Sequence, residues 1–281
     1  MEYQIGFTVK PYEIDTLGQV IFTDGTINTI IPNQLQCEAY GYTYDKVSGT
    51  CSAFRYSTTL NQNISNTNNQ LNGPGNTTQT GSNTIQINGT GNTTRGLNNN
   101  CFINGRDNEL ANNINNATVN GSMGLALRQG EVVLGGGHIQ SGLAQSSKVQ
   151  LSVKTTGVTG TSLQVQDLTG AFIEMQRDSI LGLEIHLTRL ETGGTAGTVG
   201  NFHYLVIKGA ARCDHNGVII LYTHSTTTIA SLGLQGSTIA LYDSSTGGIP
   251  SITVRVADIV NINNTWSATA YLHELRITET F

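Results

Sequence analysis

Charge is what this chain has least of. Only 12% of its 281 residues are Asp, Glu, Lys or Arg and the net charge is −5, so it carries no basic footprint for nucleic acid. Proline is scarce, at 4 residues, and no apolar run reaches the length of a membrane-spanning helix. The opening Met1-Glu2-Tyr3-Gln4 lacks a basic segment followed by an apolar core, so no secretion signal is expected and assembly in a cytoplasm is. The four cysteines (Cys37, Cys51, Cys101, Cys213) show no zinc-site spacing. Cys37 and Cys51 flank a stretch that reads as a hairpin, which permits a bridge; without a secretory context, free thiols are the expectation. The six histidines fall in no His-x-His or His-x-x-x-His pattern. His138 alone, just after a glycine run, is a weak candidate for a metal on a symmetry axis, and no metal or cofactor is expected.

What the chain has in abundance is Gly, Asn, Thr and Ser, the residues of short strands and tight turns. An apolar-Asn-Gly signature recurs every sixteen residues: Leu71-Asn72-Gly73, Ile87-Asn88-Gly89, Ile103-Asn104-Gly105 and Val119-Asn120-Gly121, with Gly137 sixteen further on. A second apolar slot precedes it by two residues, at Ile85, Cys101, Ala117 and Val133. Such a period marks stacked coils that bury an apolar face only against their neighbours. Leu71, Ile85, Ile87, Ile103, Val119 and Val133 are the expected core, and Gly73, Gly89, Gly105 and Gly121 the corners that need positive φ. Asparagines at equal phase, such as Asn76, Asn92 and Asn108, are expected to stack as amide ladders. Two apolar residues per coil make a thin rod, so three chains are expected to merge their stripes into one core.

An all-β chain in four parts follows. Residues 1–57 form an N-terminal β module for attachment, with a hairpin at Asp24-Gly25 and a second from Cys37 to Tyr56. In that second hairpin, Tyr40, Tyr42 and Tyr44 alternate along one strand and present a candidate attachment face, with packing in the module's own core as the equal alternative. Residues 58–137 are the repeat β-roll shaft and 138–162 a neck. Residues 163–281 form a β-sandwich head, with strands expected at Ala171–Gln176, Leu181–Leu190, Phe202–Ala211, Gly217–Thr223, Thr238–Tyr242, Ser251–Val256 and Thr265–Ile277. Asp214, His215 and Asn216 form a polar hairpin tip, read either as a receptor contact or as a plain turn; a second exposed loop runs from Thr192 to Thr198.

The apolar-Asn-Gly corners resemble the left-handed β-roll of trimeric adhesin heads and phage fibre shafts. The last two expected strands, through Trp266, Ala268 and Glu274, resemble the end of trimeric β-sandwich domains of phage fibres. That resemblance implies a homotrimeric bacteriophage fibre or spike located in the virion. Its partners would be other virion proteins, through the N-terminal module, and a host-surface glycan or protein, with no nucleic acid and no membrane span. Attachment or particle decoration is the expected function. The carboxylates Asp107, Glu109, Glu131, Asp178, Glu184, Glu191, Asp214, Asp243 and Asp258 are scattered, so no enzymatic activity is expected. The alternatives are a glycan-degrading or self-processing tailspike enzyme, a connector or cement protein, and a bacterial adhesin.

Overall fold

A computed structural model of the chain describes residues 9–15, 18–26, 29–46, 48–53, 69–136, 144–222, 224–233 and 236–277. The expected all-β class holds, with 59% strand against 3% helix. The chain divides into two compact units, Met1–Ile64 and Ser65–Phe281.

The first unit carries β1 (Lys10–Ile14), β2 (Val20–Thr23) and β3 (Thr29–Ile30), paired in the order β1-β2-β3, so the Asp24-Gly25 hairpin is present. α1 (Gln34–Ala39) takes the start of the expected second hairpin, whose inner part is present as β4 (Thr43–Asp45) paired antiparallel with β5 (Thr50–Ser52). A capping box starts the helix: the Asn33 side chain accepts from the Gln36 amide, and the Gln36 side chain accepts from the Asn33 amide. That reciprocal cap overrides the strand pattern expected for residues 37–39. Helical periodicity then turns Cys37 inward beside Cys51, and the two form a disulfide with 5.7 Å between Cα atoms, correcting the expectation of free thiols. Tyr40, Tyr42 and Tyr44 share no strand face. Tyr40 closes the helix and donates its hydroxyl to the Val9 carbonyl, and the rings of Tyr40 and Tyr42 meet Phe22 edge-on. Tyr44 packs on the same small core, so the stripe serves that core.

The second unit begins with alternating long and short strands: β6 (Gln70–Asn72), β7 (Thr77–Thr78), β8 (Asn83–Thr90), β9 (Thr93–Thr94), β10 (Asn99–Arg106), β11 (Glu109–Leu110), β12 (Thr118–Ser122), β13 (Leu125–Ala126) and β14 (Val132–Gly136). The even-numbered strands stack in parallel as one wall and the odd-numbered ones as the other, giving a two-walled β-solenoid. The sixteen-residue beat is the register itself. Ile87 opposes Ile103, Ile103 opposes Val119, and the glycine corners Gly89, Gly105 and Gly121 face one another. These corners have φ of +128°, +131° and +104°, and a Cβ on Gly105 would stand 1.8 Å from the Gly121 carbonyl oxygen. Glycine is therefore required twice, by conformation and by space.

The asparagine ladder is also present. The Asn76 carboxamide oxygen accepts from the backbone and side chain of Asn92, that of Asn92 from those of Asn108, and that of Asn108 from the Gly124 amide. Each amide also donates to a corner carbonyl, so Asn92 and Asn108 are fully buried without an unmet polar group.

Three expectations about the repeat are corrected. Leu71, at the open first coil, is 41% exposed and not core. The last step is fourteen residues, since Val133 opposes Val119 and Gly135 opposes Gly121. Val133 thus continues the Ile87 slot, and the slot of Ile85, Cys101 and Ala117 passes to Glu131; Gly137 and His138 lie outside the described residues. The core of the roll is closed by its own second wall, where Leu110 and Ala126 face Ile85, Ile87, Ile103 and Val119, all within 1% of full burial. Those side chains need no partner chain to leave water.

The remaining strands are β15 (Ala144–Thr155), β16 (Thr161–Ser162), β17 (Gln164–Val165), β18 (Ile173–Glu174), β19 (Ser179–Gly193), β20 (Phe202–Cys213), β21 (Ile219–Leu221), β22 (Ser225–Leu232), β23 (Thr238–Asp243), β24 (Ser251–Ala257) and β25 (Asn263–Arg276). The region expected as a neck contains β15, which pairs antiparallel with β14 on one side and with β25 along twelve residues on the other. One sheet therefore runs β21-β20-β19-β25-β15-β14-β12-β10-β8-β6, from the C-terminal strands into the solenoid without a break. Its inner face meets β24, Leu163, Ile173 and Met175 over a core holding the fully buried Trp266. β22 was not among the expected strands; it is an edge strand exposed on both faces.

Gly105→Ala should cost on the order of 4 kcal/mol through the carbonyl clash. Gly170→Ala, at φ +78° with nothing within 4 Å of the new Cβ, should cost only about 1–2 kcal/mol. Thermal unfolding of the two variants checks the difference.

Candidate functional site on the outer sheet face

Strand alternation that sends Val149, Ile185 and Ala270 into the core sends their neighbours outward. The antiparallel register then gathers side chains distant in sequence: Lys148 opposes Tyr271 and Val132, Tyr271 opposes Glu184, and Glu184 opposes Lys208. Lys208 Nζ donates to Glu184 Oε2 at 2.9 Å, and His186 Nε2 lies 3.0 Å from Glu184 Oε1. A carboxylate only accepts, so Nε2 carries the proton in the neutral ring, and Nδ1 accepts from the Tyr204 hydroxyl at 2.7 Å. Hydrogen bonds from Lys208 first, and then from His186, hold the Glu184 carboxyl below its usual range, so it stays ionised. The His186 ring meets Tyr271 edge-on at 5.6 Å, and Lys148 Nζ stands 5.9 Å from the centre of the same tyrosine ring. Beside Tyr271 lies a recess of about 290 Å³, with Val132 and Leu134 on one side and Ser146, Lys148 and His273 on the others.

A second cluster lies on the inner face, where the solenoid ends. Arg128 Nη1 is 2.5 Å from Glu131 Oε1, its Nη2 3.2 Å from Glu274 Oε2, and its Nε donates to the Glu174 carbonyl at 2.7 Å. All three charged side chains are essentially out of water. Glu131 also accepts from the amides of Leu127 and Arg128. The Gln145 carboxamide both donates to and accepts from the Leu125 backbone at 2.9 and 2.8 Å, standing in for the next strand of the short wall. The half-buried Glu174 carboxyl is raised above its usual range by burial, against the pull of Arg128. This cluster closes the end of a repeat stack and offers no open cleft.

Asp214, His215 and Asn216 do occupy a turn. The Asp214 carboxylate accepts from the Val218 amide at 2.8 Å, and His215 Nδ1 lies 3.0 Å from Asp178 Oδ2, so the turn is braced by its own residues. In the Thr192–Thr198 loop the Thr198 amide donates to the buried Glu191 carboxylate. Of the scattered carboxylates, Glu109 pairs with Arg95, and Asp258 accepts from Thr155, Ser237 and Trp266 in the sandwich interior. Among the described residues, no group of three or more His, Cys, Asp or Glu side chains is placed to hold a metal ion. The outer-face cluster was missed from sequence; its one signal is Glu184 and His186 at equal parity on an expected strand. Arg128 and Glu131, a charge pair three residues apart ending a nearly uncharged stretch, were the signal for the junction.

No known protein family matches the chain, and no curated protein does. Among solved structures it is similar to the tailspike protein gp49 of Acinetobacter baumannii bacteriophage Fri1, a capsular polysaccharide depolymerase. Identity there is 10% and the TM-score 0.30, over 73% of this chain and 46% of that one. It is also similar to the tailspike protein of Acinetobacter baumannii phage AM24, at 9% identity and a TM-score of 0.28 over 67% of this chain and 42% of that one. The chain thus spans less than half the length of either. The expectation of a protein without enzymatic activity is corrected by these neighbours, the first of which is an enzyme, and the non-enzymatic reading is dropped. TM-scores this low fix no reaction for this chain.

Arg128→Met should leave two buried carboxylates without their cation and cost about 3–5 kcal/mol. Urea unfolding followed by tryptophan fluorescence reads the loss, since the chain's one Trp lies in the sandwich.

Proposed function

We propose that this chain is a spike or fibre segment of a bacteriophage virion that engages a polysaccharide on the host surface through the outer sheet face. The observation that carries the reading is the continuous sheet. It joins a solenoid, stiffened by amide and backbone ladders along its axis, to a sandwich bearing an exposed aromatic and charged cluster. A rigid stalk coupled to a display surface is what attachment at a distance requires. No helix among the described residues is long and apolar enough to cross a membrane. In this reading the N-terminal unit binds other virion proteins, and the Asp214–Asn216 turn adds contacts to the receptor.

Three copies assemble in the virion, and the charge-free run from Val218 to Tyr242 supports this. It places Ile220, Tyr222, Ile229 and Leu232 about half exposed on an open sheet edge, which a folded protein covers. The wall-closed core of the solenoid moves this contact from the repeat to the edge of the sandwich.

A second reading, that the spike also cuts the polysaccharide, is favoured by the Tyr204–His186–Glu184 line. His186, held between a fixed carboxylate and a hydroxyl on the exposed face, is placed to take up and return a proton.

Purified protein should run at the mass of three 30.0 kDa chains and label encapsulated bacteria but not isogenic capsule-free cells. Labelling of neither, across a panel of capsule types, overturns the attachment reading. Release of new saccharide ends from extracted capsule, lost in His186→Gln while labelling persists, would establish cleavage at this face; release unchanged in that variant places the chemistry elsewhere.

A further inference from the structure

The recess beside Tyr271 has an imbalance that the attachment reading does not use. Glu184 is already shared by Lys208 and His186, whereas Lys148 has no carboxylate within ion-pair distance among the described residues. Its ammonium instead stands over the face of Tyr271, in a chain whose net charge is −5. Val132 and Leu134 are 41% and 58% exposed beside it, on the rigid strand that joins solenoid to sandwich. Two bare aliphatic side chains, an aromatic ring and a cation with no carboxylate partner on a fixed β-surface make an acceptor for a ligand with an apolar face and an anionic group. Ser146 and His273, directly opposed across strands β15 and β25, add hydrogen-bonding groups at the rim.

We propose that this recess binds an acidic sugar residue, its carboxylate on Lys148 and the C–H face of its ring against Tyr271 and Leu134. The size, about 290 Å³, is at the small end of ligand sites and suits one unit of a chain that continues along the open sheet face. Charge complementarity selects this occupant over a neutral saccharide, which leaves Lys148 unpaired. An open, shallow shape selects it over an acyl chain, which needs an enclosed tunnel. The inference rests on the polysaccharide reading and narrows it to acidic polymers.

The test is calorimetric titration of the whole protein with size-matched oligosaccharides of galacturonate, glucuronate and N-acetylneuraminate, with neutral dextran as reference. At least one acidic probe should bind tenfold or more tightly than dextran, and more weakly in higher salt. Lys148→Met should remove that preference, and Tyr271→Ala should weaken binding of the acidic probe. Both side chains lie on the exposed face, so circular dichroism should show intact folding, and Lys154→Met on the same strand should bind as wild type. Equal binding of acidic and neutral probes, no binding of any acidic probe, or a Lys148→Met protein that keeps the preference overturns the proposal. So does a change in assembled mass in Lys148→Met or Tyr271→Ala, which would make the face a contact between copies. A protein that labels capsules yet shows no acidic preference loses this inference alone; one with the preference that labels no capsule loses the attachment reading alone.

Discussion

Arg128 stands wholly buried between the carboxylates of Glu131 and Glu274, and these buried ion pairs tie the end of the solenoid to the strands that follow. A repeat stack must end somewhere, and its last coil presents backbone and apolar surface with no further coil to cover it. Here the stack ends in Glu131, sitting where Ile85, Cys101 and Ala117 sit in earlier coils, and its charge is met by the Arg128 guanidinium and the Leu127 and Arg128 amides, while Glu274 takes the other arm of Arg128. Gln145 carries the short wall one step further with a side-chain amide in place of a strand. The cap and the junction are thus one structure: residues from the turn before β14, from β15 and from β25 close the roll and fasten it to the strands that follow.

Stiffness along the axis has a separate origin. Each coil repeats the backbone pairing of the last, and the Asn76–Asn92–Asn108 ladder adds a second line of amides inside the corners. The corners approach so closely that side chains are excluded, leaving glycine opposite glycine. Low charge follows from the same geometry. In-register parallel stacking sets identical positions beside one another, so a charged residue at a repeated phase would face its own kind in every layer. The chain uses asparagine and threonine there, which donate and accept at once.

The outer face obeys different rules because it is not repeated. Its side chains come from four antiparallel strands and meet by register, so a lysine, a glutamate, a histidine and two tyrosines separated by up to 123 residues form one surface. The internal pairing of Glu184 fixes His186 in one tautomer and leaves Lys148 on the Tyr271 ring, with no carboxylate within ion-pair distance among the described residues. Display of such a surface on a stiff stalk is the physical basis for reading the chain as an attachment element.

Local chemistry and periodicity wrote much of this into the sequence. The sixteen-residue beat determined the coil register, the glycine corners and the asparagine ladder, because parallel stacking maps a period in sequence directly onto neighbours in space. Alternation likewise determined β19, β20, β24 and β25 to within a few residues. Tertiary structure decided what no period encodes. It placed Glu131 in an apolar slot through a shortened last step, and started a helix just ahead of the tyrosine stretch through a side-chain cap at Asn33. It closed the roll within one chain by a second wall of two-residue strands. It also assembled the Lys148–Tyr271–His186 face, since antiparallel pairing between distant strands depends on the turns and core that set their register, and these leave no local mark on the residues that meet.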